Sequence, residues 1–343
     1  MKKAAFILLG SIGFSFYVNA QIPTLDSLHA LPFEELEKEF RDLSKQDQSL
    51  FLKHYLTLAQ KEKDSMKIVA GLFLKALENS HAEESLIYLD SILILTNNWN
   101  HKLFPGFGYL EKGIQLYYLG QHEEALEFYL KAQTFFSNDK DEYNLHRVRH
   151  YVALLKNVTD QHYEALTIFK ENMLFFNKEN KEKHSDQYFK SLFALADSYN
   201  RNEQYSYAEQ INMKGIKESY FFNSKMYPHF LLSFGTSKIL NNQPSKGVDS
   251  IIKGGKLIQN KKGALCASYL KLSEAYLKLN QTKLSEKYLL KIDSIYKKHD
   301  NVINHANTAY SNLYKIYNSN KDDEKQLWVI RKLLEIDNQL EET

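Results

Sequence analysis

QHEEALEFYLKAQTFF, from Gln121 to Phe136, returns forty residues later as QHYEALTIFKENMLFF, from Gln161 to Phe176. Seven of the sixteen positions are identical, where ordinary composition gives roughly one. Self-similarity with this spacing marks stacked helix pairs, whose units recur every ~34 to 47 residues. The repeat also accommodates the length of the chain. A single core seldom grows past roughly 250 to 300 residues. These 343 residues, 43% hydrophobic and 13% aromatic, can be housed if each unit packs only on its neighbours.

From this stretch the register extends in both directions through one small residue early in the second helix of each unit. It falls on Ser85, Ala125, Ala165, Ala208, Gly247 and Ser285, with spacings of 40, 40, 43, 39 and 38. Twelve residues upstream a second small position gives Gly113, Ala153, Ala196, Gly235 and Ser273, with Phe73 the exception in the first unit. Antiparallel helices cross closely only where neither presents a bulky side chain, so these positions are read as helix crossings. Large apolar residues flank them at helical spacing, as in Leu272, Tyr276, Leu279 and Leu284, Tyr288, Ile292. Turns are expected at Gly120, Asp160, Asn202, Asn241-Asn242 and Asn280. Gly and Pro total only 18, and Pro105, Pro228 and Pro244 fall where turns between helices are expected, so the chain reads as all-helical. Upstream, Pro32-Phe33-Glu34-Glu35-Leu36 suits a helix start with proline in its first turn. The expected organisation is a leader over 1–20, introductory helices over 21–63, and about seven helix pairs over 64–343.

The leader is read from Lys2-Lys3, the apolar run Ala4 to Val18 and the small residues closing on Ala20. This pattern predicts export and cleavage after Ala20, leaving Gln21 first in a periplasmic or secreted chain. No later stretch is long and apolar enough to span a bilayer, so no transmembrane span is expected in the mature chain. Cys266 is the only cysteine, so an intramolecular disulfide is excluded. A lone cysteine at the start of a helix reads best as a small buried apolar residue.

The formal charge is +2, and without Lys2 and Lys3 the chain carries 42 basic and 42 acidic residues. That balance argues against direct nucleic-acid binding, which requires clustered Lys and Arg. His146 and His150 lie four apart on one helix face, a metal-ligand spacing, but no third or fourth ligand accompanies them. His122 and His162 recur at the same place in successive units and read as structural. Gly254-Gly255 lacks the further glycine spacing of a phosphate loop. Glu123-Glu124 and Asp322-Asp323 read as helix starts, where negative charge offsets the dipole. No metal, cofactor or catalytic group is expected.

The units resemble tetratricopeptide repeats, through Gly113, Gly120, Ala125, Tyr129 and Ala132 in one and Leu195-Ala196, Tyr199, Tyr205, Ala208 and Gly215 in another. The resemblance runs from Asp64 to the C-terminus and implies a right-handed α-solenoid. The period near 40 instead of 34 is read as added helix or longer loops. In the last unit (Leu313, Tyr317, Trp328, Leu333) Gln326 stands at the small position, which suits a cap or a unit continued by something else. In tetratricopeptide repeats the first helix of each pair lines a concave groove. Carried over by position, this implies Tyr117, His150, Asn157, Asp197, Asn200, Arg201, Thr236 and Glu274 as groove candidates for a protein or peptide ligand.

Phe33-Glu34-Glu35-Leu36, Leu86-Ile87-Tyr88-Leu89-Asp90-Ser91 and Tyr314-Lys315-Ile316-Tyr317 also resemble the exported sensory half of membrane-anchored AraC-type regulators. That resemblance implies a sensory domain whose membrane and DNA-binding parts lie outside this chain.

Overall fold

A computed structural model describes residues 28, 30–80, 83–178, 184–299 and 302–341. The expected leader, residues 1–20, lies outside the described residues. Sixteen helices follow one another among those described. They are α1 (Phe33–Asp42), α2 (Lys45–Glu62), α3 (Ser65–Glu78), α4 (Glu84–Thr96), α5 (Gly106–Tyr118), α6 (His122–Asn138), α7 (Glu142–Val158) and α8 (His162–Lys178). The series continues with α9 (Ser185–Arg201), α10 (Tyr205–Phe221), α11 (Tyr227–Leu240), α12 (Pro244–Leu257), α13 (Lys262–Lys278), α14 (Thr282–Tyr296), α15 (Ile303–Ser319) and α16 (Asp323–Glu341). Regular structure among the described residues is helical throughout, and the architecture is a tetratricopeptide-like array of helix pairs. None of these helices is long and apolar enough to cross a membrane. The chain divides into two compact units, Met1–Leu119 and Gly120–Thr343.

The first unit packs around aromatic rings. Phe33 meets Phe73, Phe104 and Phe107 edge-on, with centroids 5.2, 5.0 and 5.7 Å away. Phe73, the residue that breaks the small-position pattern, is buried at the centre of this cluster. The close approach of α3 is made instead to α2, at Gly71, where an added Cβ would lie 2.3 Å from Leu56 Cδ2. Ser44 and Asp64 start α2 and α3 by accepting the backbone N–H of Asp47 and Lys67. Pro32 is the residue before the first turn of α1, not a member of it. Its fixed φ sets the entry angle, while Glu34 and Glu35 occupy the turn itself.

In the second unit each helix packs against the next, and the first helices of successive pairs (α7, α9, α11, α13 and α15) also touch in sequence. Contact along this layer makes it the inner one. The helix crossings have direct geometric support at α11 and α12. A Cβ built on Gly235 would lie 2.7 Å from the Gly247 carbonyl oxygen, and one on Gly247 would lie 2.5 Å from that of Gly235. One pair later the same positions hold Ser273 and Ser285, whose buried hydroxyls are 2.7 Å apart. Ala125, Ala153, Ala165, Ala196 and Ala208 are fully buried, and Gly113 of the first unit is buried as well.

Large side chains fill the space on either side of these crossings. Phe169, Phe176, Tyr188, Phe189 and Phe230 form one cluster, and Leu289, Tyr310, Leu313 and Val329 belong to another. Each fully buried ring or aliphatic chain contributes about 1.5–3 kcal/mol of transfer free energy. In the last pair the indole of Trp328 meets Tyr310 edge-on at 5.7 Å, and Leu327, Ile330 and Leu334 of α16 stay exposed. Cys266 is fully buried and burial pushes its thiol up to about 11, so it acts as a core side chain.

The turns within pairs of the second unit place one residue each in the left-handed region: Asp160, Glu203, Asn242, Asn280 and Lys321; Gly120, at the start of that unit, has positive φ as well. Asn202 lies in its turn as expected, although it is not the residue of that turn with positive φ. It closes α9 with its amide, donating to the carbonyls of Ser198 (2.8 Å) and His162 (2.9 Å), and Glu203 takes the left-handed conformation. The end of the helix decides which residue must adopt positive φ, and a glutamate complies because the following turn is held by backbone bonds.

Replacing Gly247 with Ala or Ala165 with Leu forces the crossing helices apart and is expected to lower stability by about 1–3 kcal/mol. Chemical denaturation of the two variants checks this; unaltered midpoints would mean that the crossings lie elsewhere.

Candidate ligand groove

On four successive first helices, residues three and four apart turn toward one cavity of about 690 Å³. Helix α9 supplies Phe193, Asp197 and Asn200, and α11 supplies His229, Leu232 and Thr236. Helix α13 adds Ala264, Ala267, Leu270 and Glu274, and α15 closes the far side with His305, Thr308 and Asn312. The inner layer explains this convergence. Repeat spacing brings equivalent residues into line, so Asp197, Thr236, Glu274 and Asn312 follow each other at intervals of 39, 38 and 38 residues. Phe193, Leu232, Leu270 and Thr308 form a parallel row at the same intervals.

Of the eight groove candidates, Asp197, Asn200, Thr236 and Glu274 line this cavity. Arg201 stands beside it, exposed, with its Nε donating to Asp197 Oδ2 at 2.8 Å. His150 and Asn157 are packed into the fold on α7, with only 6% and 3% of their surface exposed. Tyr117 belongs to the first unit, edge-on to Tyr118. His229, His305 and Asn312 were not among the candidates. Asn312 was within reach of the sequence, since it continues the Asp197, Thr236, Glu274 row.

The cavity lining carries little unbalanced charge. Asp197 is paired with Arg201, and Glu274 with Lys271 at 3.0 Å and Lys278 at 3.6 Å, all along their own helices. Burial holds both histidines below their ordinary pKa, with Lys261 adding to the effect at His229, so they are neutral at neutral pH. His229 also meets the ring of Phe193 edge-on. Asn200 is 8% exposed and its side-chain oxygen has no hydrogen-bond partner. An amide oxygen buried without a donor is costly, by about 1–3 kcal/mol, unless a ligand supplies one. Asn157 is in the same condition one pair earlier, at the same point of its helix.

The two spaced histidines have separate structural tasks. His146 lies over the ring of Phe175 at 4.1 Å, and its Nδ1 is 2.7 Å from the side-chain oxygen of Asn172. Asn172 in turn donates its amide N–H to the His146 carbonyl, so its oxygen faces the imidazole and Nδ1 carries the proton. His150 is enclosed by Tyr151 and Phe169, and burial, with a smaller contribution from Lys190, pushes its pKa down to about 3. Among the described residues no group of three or more His, Cys, Asp and Glu side chains is placed to hold a metal ion. A second cavity of about 800 Å³ lies where Asn223, Lys225 and Tyr227 face Leu257 and Lys261.

Comparison with protein-family models finds no match. Comparison with curated proteins finds none either. Solved structures share the fold. The apo form of the quorum sensor NprR from B. thuringiensis superposes with a TM-score of 0.67 at 17% identity, covering 91% of this chain and 90% of that one. NprR in complex with its cognate peptide NprX gives 0.60 at 14% identity, over 88% of this chain and 85% of that chain. A signal-transduction ATPase with a tetratricopeptide repeat sensor, from Pyrococcus horikoshii, gives 0.57 at 16% identity, over 88% of this chain and 48% of that chain.

The neutral, buried His150 makes stability pH-dependent. Its folded pKa lies below the unfolded value near 6.5, so the unfolded chain binds the extra proton first. Stability is full above about pH 6.5 and declines as pH falls toward 3, by at most ~1.4 kcal/mol per pH unit from this group. The variant His150→Leu is expected to show a shallower fall in Tm between pH 6.5 and 4 than the parent, measured by circular dichroism. Parallel curves would show that His150 does not titrate across this transition.

Proposed function

We propose that this chain is a non-catalytic binding scaffold that holds a peptide or an extended protein segment along the groove of α9, α11, α13 and α15. One observation carries the reading: the buried, unpartnered side-chain oxygen of Asn200 at the edge of a cavity whose charged lining residues, Asp197, Lys271 and Glu274, are paired along their own helices. An extended backbone supplies N–H donors at a regular spacing, and such an amide is suited to receive one. The cavity is open along a row of helices, which suits a chain-like ligand more than a compact one. The related fold of NprR, solved with its cognate peptide, supports the same class of ligand.

The finer reading is that the scaffold works outside the cytoplasm after cleavage at Ala20, as the leader pattern implies. A sensory role within a signalling system is the second reading. It is favoured by the fold shared with a quorum sensor and with a tetratricopeptide repeat sensor.

The test is site-specific photocrosslinking in cells that make the protein. A photoreactive residue at Thr236 or Glu274 is expected to capture a polypeptide, whereas one at Leu174, exposed on the second-helix layer, is not. Adducts at Leu174 alone would move the site to the other face and end this assignment. N-terminal sequencing of the same material is expected to begin at Gln21, and a chain beginning at Met1 would end the export reading.

A further inference from the structure

We infer that the groove recognises its partner segment through one neutral aliphatic side chain, taken up at the apolar surface made by Leu232 of α11 and by Ala264, Ala267 and Leu270 of α13. This rests on the peptide-binding reading and specifies which segment it selects. Leu232 comes from α11, and on the adjacent first helix α13 Ala264 and Ala267 precede Leu270 at intervals of three, presenting methyl groups to the cavity where larger side chains would fill the space. Ala267 is exposed, Leu270 and Ala264 are half-buried, and further along the same helix Leu277 is 39% exposed, so α13 shows uncovered apolar surface along the cavity. Removing it from water favours an apolar occupant.

Electrostatics rejects the alternatives. The charged groups facing this part of the cavity are Asp197 from α9 and Lys271 and Glu274 from α13, and each has its counter-ion on its own helix. His229 from α11 and His305 from α15 are neutral at neutral pH, and Lys261 lies near His229. A carboxylate or ammonium entering here would lose its water and find no free charge of opposite sign. Among the uncharged polar groups of the lining, Asn200 on one side and Asn312 on the other suit the peptide backbone flanking the anchor. Division of labour follows: the amides hold any extended chain, and the aliphatic surface selects among chains. One methylene in such a site discriminates by about 10- to 200-fold.

The experiment is selection of an unbiased displayed dodecapeptide library on the intact chain at pH 7.5. Enriched peptides are expected to share Leu, Ile, Val or Met at one fixed position. In a synthetic copy of the best peptide, Ala or Asp at that position is expected to weaken binding at least roughly tenfold. Ala267→Trp, which fills the space, and Leu277→Asp, which puts a charge on the wall, are each expected to reduce binding by a similar factor with unchanged circular dichroism. Either variant alone suffices if the other fails to fold. Enrichment of Asp, Glu, Lys or Arg at the fixed position, or undiminished binding by a folded variant, overturns the aliphatic anchor and leaves the peptide-binding reading standing. Enrichment of nothing above bare resin overturns both.

Discussion

The close crossing of paired helices is the constraint on which the rest of this structure depends. At Gly235 and Gly247 the two backbones come so near that a methyl group on either would collide with the carbonyl oxygen of the other. At Ser273 and Ser285 the same gap is filled by two hydroxyls that bond to each other. A crossing this tight leaves room for larger side chains only beside it, which is where Ile239, Val248 and Ile251 gather around the glycine pair. Pairs built this way present similar outer surfaces, so one can stack on the next without a new solution each time.

Stacking turns a local spacing into an extended surface. Residues a repeat apart, such as Asp197, Thr236, Glu274 and Asn312, come to line a single cavity although more than a hundred positions separate the first from the last. Rigidity between layers comes from bonds reaching from one helix to the next. Tyr188 donates its hydroxyl to Glu218, Tyr310 to Asp293 and Tyr317 to Glu286, over 2.6, 2.6 and 2.8 Å. Burial and the bonded carboxylate raise the pKa of all three phenols, so they remain protonated donors at physiological pH. Lys278 reaches the carbonyl of Ile239 at 3.1 Å, joining α13 to the end of α11. A groove held by such ties is formed before any ligand arrives, which reduces the ordering cost of binding.

Charge is handled locally. The acidic residues at the cavity are neutralised along their own helices, and its histidines are kept neutral by burial. Such pairs in exposed positions add little to stability. Their consequence here is that the cavity presents shape, apolar area and amide groups rather than a strong field.

The architecture was legible in the sequence because helix crossings demand small residues, and a demand made once per unit repeats with the unit. Two copies of one sixteen-residue stretch and a row of Gly, Ala and Ser positions were enough to place the helix pairs. Phe73 looked like an irregularity until the tertiary structure put it at the centre of an aromatic cluster and the close approach of its helix at Gly71. The groove was legible only in part, since a register says which helix a residue lies on but not how far it is covered. Tyr117, His150, Asn157 and Arg201 occupy first helices just as Asp197, Asn200, Thr236 and Glu274 do. Whether each is packed inside, paired at the rim or turned to the cavity depends on side chains brought in by neighbouring helices. Sequence periodicity records what a residue owes to its own helix, and only the packed structure decides what its neighbours leave open.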